Sequence, residues 1–195
     1  MILRRHRRRD LSEAEREAFR ALLDRHLQGH DDRVPDLVGY LDYLADLDRF
    51  VFHGSNQAGI EVLSTERKST DTRAFGSQTA VYATSDPHWA VYFALVQRSN
   101  TRSLRNGSFA FSPAARTRWY RRDVVVRDPD RPAIGEGTLY VISRETFTRE
   151  PKVGRILDTA QWVSPVPVAP LFSLRVTPHD YPPGRHVRVV GSARA

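Results

Sequence analysis

The chain contains no cysteine. That absence excludes a disulfide framework, an iron-sulfur cluster, a cysteine nucleophile and cysteine-ligated zinc, and it fits a reducing compartment. No run approaches the roughly 18 consecutive apolar residues of a membrane helix. The opening stretch Met-Ile-Leu-Arg-Arg-His-Arg-Arg-Arg lacks the apolar segment of a signal peptide, so a cytoplasmic protein is expected. Acidic charge is in deficit, with 23 Asp plus Glu against 30 Lys plus Arg, a formal charge of +7 and a pI of about 10.2. An Arg-rich, cationic chain favours an anionic partner without selecting among nucleic acid, nucleotide, acidic protein and membrane surface. What is present is enough for a core: 195 residues, 40% hydrophobic, with a mean hydropathy of -0.50, the profile of one globular domain with room for an appended subdomain.

Arg4, Arg5, His6, Arg7, Arg8 and Arg9 repel one another, and a frayed basic arm, with a possible nucleic-acid contact, is expected there. Ser12 followed by Glu15 is a capping box, and Leu11, Ala14, Ala18, Phe19, Leu22, Leu23 and Leu27 recur at helical spacing up to Gly29. A second helix is expected from about Pro35, presenting Leu37, Val38, Leu41 and Leu44. Residues 1–48 therefore read as a basic arm plus a helical hairpin, and 49–195 as a second unit.

From Arg49 the pattern is that of strands. Arg49 to His53 leads into the turn Gly54-Ser55-Asn56, and Thr79 to Ala83 forms a second short strand. The polar run from Ser64 to Gln78 reads as a loop over a site or a disordered excursion. Asp86-Pro87 supplies an N-cap and a Pro at the first helical position for a helix reaching about Gln97, apolar nearly all round and so expected to be buried. Further strands are expected at 108–111, 118–126, 137–143, 161–163, 171–177 and 187–190. Strands grouped after helices indicate α+β with mostly antiparallel sheets. The lack of βαβ alternation, of Gly-x-Gly-x-x-Gly and of a Walker A loop disfavours a Rossmann or P-loop domain.

Three segments carry chemistry: Phe52-His53-Gly54-Ser55; Phe75-Gly76 with Ala80-Val81-Tyr82-Ala83-Thr84 and Trp89-Ala90-Val91-Tyr92-Phe93-Ala94; and Ala160-Gln161-Trp162-Val163-Ser164. In this order, over roughly residues 50–165, they resemble the signature of the ADP-ribosyltransferase superfamily, in its diphtheria-toxin-like and poly-ADP-ribose-polymerase branch. The resemblance implies split antiparallel β-sheets with flanking helices, and NAD bound as substrate, with no metal. A His-Gly-Ser strand end, a Phe-Gly loop, a Tyr strand, a helix with a second Tyr and a late Glu strand would surround that NAD. Carried over, His53 would bond the adenosine ribose, and the Gly54 backbone would meet the nicotinamide carboxamide beside Ser55. Tyr82 (with Ala83) and Tyr92 would wall the nicotinamide.

Two positions depart from the pattern. Gln161 stands where active members carry Glu, and it brings no charge to a cationic transition state; Asp158 and Glu145 are nearby acids if the register is shifted. Trp89 replaces a small hydroxyl residue three before the second Tyr. The expected activity is a single ADP-ribosyl transfer to a protein, nucleic-acid or small-molecule acceptor; polymer synthesis would demand most of the missing Glu. The alternative is a non-catalytic nucleotide- or RNA-binding module on a degenerate form of the fold. Arg67, Lys68 and Arg73 are candidate phosphate contacts.

Other mechanisms have less support. No Gly-x-Ser-x-Gly elbow is present for a Ser-His-Asp hydrolase. His26, His30 and Asp31 have metal-ligand residue types but occupy a helix end and a turn. His179 and Asp180 read as a solvated loop.

Overall fold

The structure, a computed structural model, describes residues 3–66, 74–181 and 188–190. Arg67, Lys68 and Arg73, with the middle of the polar run before Tyr82 (67–73), and Val187 of the last expected strand lie outside these residues.

Helix α1 (Glu13–Leu27) starts at the expected capping box, with Ser12 and Glu15 bonded reciprocally. Helix α2 (Leu37–Asp46) starts slightly after Pro35, because Asp36 takes the N-cap and accepts the Gly39 N–H. The arm is ordered: Arg4–Arg7 forms strand β1, antiparallel to β5 (Thr117–Val126). Like-charge repulsion is overcome because α2 presents carboxylates to the arm. His6 Nε2 lies 3.1 Å from Asp42, Arg8 Nη1 lies 2.9 Å from Asp46, and the Arg9 N–H donates to Asp42 at 2.9 Å.

The strands form two sheets. In the smaller, β5 pairs with β4 (Thr101–Phe109) along one edge, and with β1 and β10 (Arg188–Val190) on the other. The β10–β5 pair is parallel, an exception to the antiparallel expectation. The larger sheet runs β7 (Thr148–Arg149), β8 (Gln161–Ser164), β3 (Val81–Thr84), β2 (Phe50–Ser55), β6 (Gly137–Ser143), β9 (Phe172–Val176), antiparallel throughout. An α+β architecture with two sheets is thus observed. Strand β4 begins seven residues before the expected 108, because its first half is polar and faces solvent, leaving no alternation to read.

Helix α3 (Pro87–Leu95) lies between the sheets. Ala90, Val91, Ala94 and Leu95 pack on the larger sheet in a cluster that also takes in Leu23, Tyr40, Leu41 and Leu44 of the first two helices. Trp89, Tyr92 and Val96 pack on Tyr120, Val124 and Val126 of the smaller sheet. The residues before and after 48 therefore share one core. A helix that must bury both sides is apolar all round, as its sequence is. Among the described residues, no helix is long and apolar enough to cross a membrane.

Candidate functional site

Strand adjacency brings the three expected site segments together. Strand β2 carries His53, Gly54 and Ser55, its neighbour β3 carries Tyr82 and Ala83, and β8 beyond it begins at Gln161. The β2–β6 ladder has six residue pairs and the β3–β8 ladder four, but β2 and β3 share only the pair Phe52–Thr84. The two strands part just where Gly54 would face Tyr82. At that gap His53 Nδ1 lies 2.8 Å from the Tyr82 carbonyl oxygen. A carbonyl only accepts, so Nδ1 carries the proton, and the imidazole takes the place of a ladder bond.

Gly54 is required by its surroundings. A Cβ there would stand 1.8 Å from the Ala90 carbonyl oxygen, so helix α3 can cross β2 this closely only over glycine. The helix is held in turn by Asp86, which caps it through the His88 N–H at 3.2 Å and also accepts from the Ser108 hydroxyl at 2.8 Å and the Tyr120 hydroxyl at 3.1 Å. Burial alone would push the Asp86 carboxyl up, but Arg118 beside it and these hydrogen bonds outweigh that and keep it ionised.

Register decides which side chains share a face. Gln161 is opposite Thr84, and Val163 is opposite Tyr82, so Tyr82, Thr84 and Gln161 point to one side. Ala83 points to the other and is buried in the cluster of Val51, Val81 and Trp162. Tyr82 is partly exposed, its hydroxyl donating to the Gln78 carbonyl at 2.8 Å.

Tyr92 lies in the core. It is 1% exposed within the cluster against the smaller sheet, and its hydroxyl donates to the Asp123 carbonyl at 3.3 Å. Burial pushes that hydroxyl well above the ordinary tyrosine range. A helix turns 100° per residue, and the partly exposed aromatic of α3 is the next one, Phe93. Trp89 is buried in the same cluster as Tyr92.

The register also identifies an acid not singled out from sequence. Thr148 pairs with Val163 and Arg149 with Trp162, and the Glu150 N–H donates to the Gln161 carbonyl at 2.9 Å. Glu150 is therefore the cross-strand neighbour of Gln161 on the same face, and its buried carboxylate accepts from the Thr159 hydroxyl. The only sequence signal was its position at the end of a two-residue strand too short to show periodicity. Of the acids considered earlier, Asp158 is buried between Arg118 (2.7 Å) and Arg149 (2.6 Å), while Glu145 lies exposed in a turn. Immediately before Gln161, the buried Ala160 has φ of 58°, a left-handed conformation that costs a non-glycine residue about 1 kcal/mol.

His26 is not disposed as a metal ligand, since Nδ1 meets the Tyr40 hydroxyl at 2.9 Å and Nε2 the Asp32 carbonyl at 3.1 Å. A different cluster, His6, Asp42 and His88, brings one ligand atom from each residue within 4.8 Å of the others. Its hydrogen bonding is complete without an ion: both Nε2 atoms donate to Asp42 Oδ1, at 3.1 and 2.8 Å, and His88 Nδ1 meets the Tyr181 hydroxyl at 2.7 Å. A pocket of about 410 Å³ opens on the opposite flank of β2, lined by His26, Asn56, Thr138, Phe172 and Arg175 among others, and includes none of His53, Tyr82 or Gln161. No family model, no curated protein and no solved structure matches the chain.

Proposed function

We propose that the protein binds NAD in the gap between β2 and β3 and transfers ADP-ribose once to an acceptor nucleophile. The observation that carries this reading is the adjacency of the three strands bearing His53, Tyr82 and Gln161, with β2 and β3 parting beside Gly54. The resemblance in sequence asks for these segments around one ligand, although they are separated by up to about a hundred residues of chain. In the proposed complex the Gly54 backbone meets the carboxamide and Tyr82 stacks on nicotinamide. Phe93 replaces Tyr92 as the second ring. With Phe93 in that role, the residue three before it is Ala90, the small residue beside Gly54, and Trp89 no longer obstructs the slot.

In the reaction the ribose C1′–nitrogen bond breaks, the electron pair leaves with nicotinamide, and the acceptor bonds to C1′ and gives up its proton. The cationic ribose needs a nearby negative charge. Gln161 supplies a hydrogen-bonding oxygen only. Glu150, its neighbour across the ladder, is the carboxylate we assign to that electrostatic role.

The test is nicotinamide release from NAD by the purified full-length chain, beside calorimetry with NAD. Micromolar binding with release above buffer supports transfer. Binding without release selects the non-catalytic nucleotide-binding module, which Gln161 itself favours. No heat with NAD overturns the site.

A further inference from the structure

We propose that the solvent face of the smaller sheet binds single-stranded nucleic acid, its aromatic end stacking on bases and its arginines pairing with phosphates. The inference does not depend on NAD binding, which would occupy the larger sheet.

Alternation along β5 turns Arg118, Tyr120, Arg122 and Val124 inward, where all are buried. On the other face Thr117, Trp119, Arg121 and Val125 are partly exposed, while Asp123, at the same parity, is buried. Partners in register share that face. Phe109 of β4 and Arg5 of β1 flank Trp119, and Arg105 and Arg188 flank Asp123. The face thus has rings in the row of Trp119 and guanidinium groups in the next two rows, those of Arg121 and Asp123.

The rings have the geometry of a stacking platform. Phe109 and Trp119 lie nearly parallel, centroids 6.1 Å apart and planes 15° apart, both partly exposed. Phe111, just past β4, stands edge-on to Trp119 at 5.7 Å and 70° and is 62% exposed. An aromatic ring this open is costly in water and leaves most of its surface available to a ligand. Unpaired bases are the flat, sequence-tolerant ligands that such rings accept.

Among the described residues guanidinium groups outnumber carboxylates on this side of the sheet. Asp123, buried there, is bonded by Arg121 at 2.9 Å and Arg188 at 3.2 Å, so it neutralises only part of the face. Arg5 and Arg105 are exposed and pair with no carboxylate among the described residues. Successive outward rows on a strand are about 6.8 Å apart. A chain lying along β5 would therefore meet rings and then guanidinium groups in the two rows that follow. Arginine offers phosphate a two-pronged donor set, and an extended anionic strand reaches both rows. Duplex nucleic acid would meet the arginines but keep its bases away from the rings.

The test is fluorescence anisotropy with labelled oligothymidylate and oligouridylate of about twelve nucleotides, beside a duplex of equal length, using the full chain. Micromolar binding of either single strand, tighter than the duplex, is expected; the two strands distinguish DNA from RNA. Phe111→Ala, at an exposed position that leaves the melting temperature unchanged, is expected to weaken binding about tenfold. Arg105→Glu is expected to weaken it and to flatten its salt dependence by about one unit of log–log slope. Absence of binding, duplex bound as tightly as single strand, or unaltered affinity in Phe111→Ala overturns the proposal. So does a self-association that Phe111→Ala abolishes in a chain that binds no oligonucleotide.

Discussion

The His53 imidazole donates through Nδ1 to the Tyr82 carbonyl oxygen at 2.8 Å, bridging two strands at the point where their ladder stops. A side chain closes the sheet there, and the backbone edges of β2 and β3 beyond it diverge. His53→Ala removes this bridge at a half-buried position. A net hydrogen bond is worth about 1 kcal/mol. Stability should fall by about that amount, and, if NAD binds in the gap as proposed, its affinity by about tenfold or more, because the gap loses its brace. Calorimetry beside a urea melt separates the two effects.

Gly54→Ala would push a methyl group into the Ala90 carbonyl, which belongs to the backbone of α3 and cannot swing aside. Overpacking of this kind costs about 1–3 kcal/mol, and more where backbone must move. We expect at least about 3 kcal/mol in chemical denaturation. A loss under 1 kcal/mol would mean that helix and strand are not in contact.

Arg118 spans two buried carboxylates, 3.4 Å from Asp86 and 2.7 Å from Asp158. Its removal leaves the cap of α3 as a buried charge without its cation, and breaking such a pair costs about 3–5 kcal/mol. Arg118→Ala should show that loss in equilibrium unfolding. Part of it should return in Arg118→Ala combined with Asp86→Asn.

Stability should fall on acidification in two stages. Burial keeps His88 neutral and holds its pKa below the ordinary value of about 6.5, although Asp42 opposes the shift. The unfolded chain therefore takes up a proton first, and stability present above about pH 6.5 declines as pH drops below it. Asp42 is also depressed: burial would raise it, but hydrogen bonds from His6 and His88 outweigh burial. Its contribution is present above the ordinary carboxylate range near 4 and is lost below it. Melting temperature against pH should show both limbs, and His88→Gln should remove the upper one.

Gln161→Glu places a second carboxylate opposite Glu150 on the same face. Like charges directly opposite are destabilising, by about 0.5–1 kcal/mol at neutral pH. If the late strand lies beside the ribose, the added charge should also raise the rate of nicotinamide release. Glu150→Gln in the natural background should lower that rate while leaving NAD affinity within about threefold, a kcat effect with little change in KM.

Local chemistry was legible where neighbours in sequence decide it. Ser12 and Glu15 capped α1, Asp86-Pro87 opened α3, and the all-round apolar pattern of α3 marked its burial, because caps and periodicity act within a few residues. The basic arm was not legible, since the carboxylates that order it, Asp42 and Asp46, lie on another element. Strand β4 was half hidden by a polar first half.

The sequence by itself determined the α+β class, the capped starts of α1 and α3 and the burial of α3. Only the tertiary structure decided which ring of α3 faces the core, that Glu150 stands beside Gln161, and that the arm joins a sheet with an open aromatic and basic face. The physical reason is range. Helix periodicity and capping are local, whereas strand register and the packing of one helix between two sheets depend on partners tens of residues away, and one position along α3 separates the buried Tyr92 from the partly exposed Phe93.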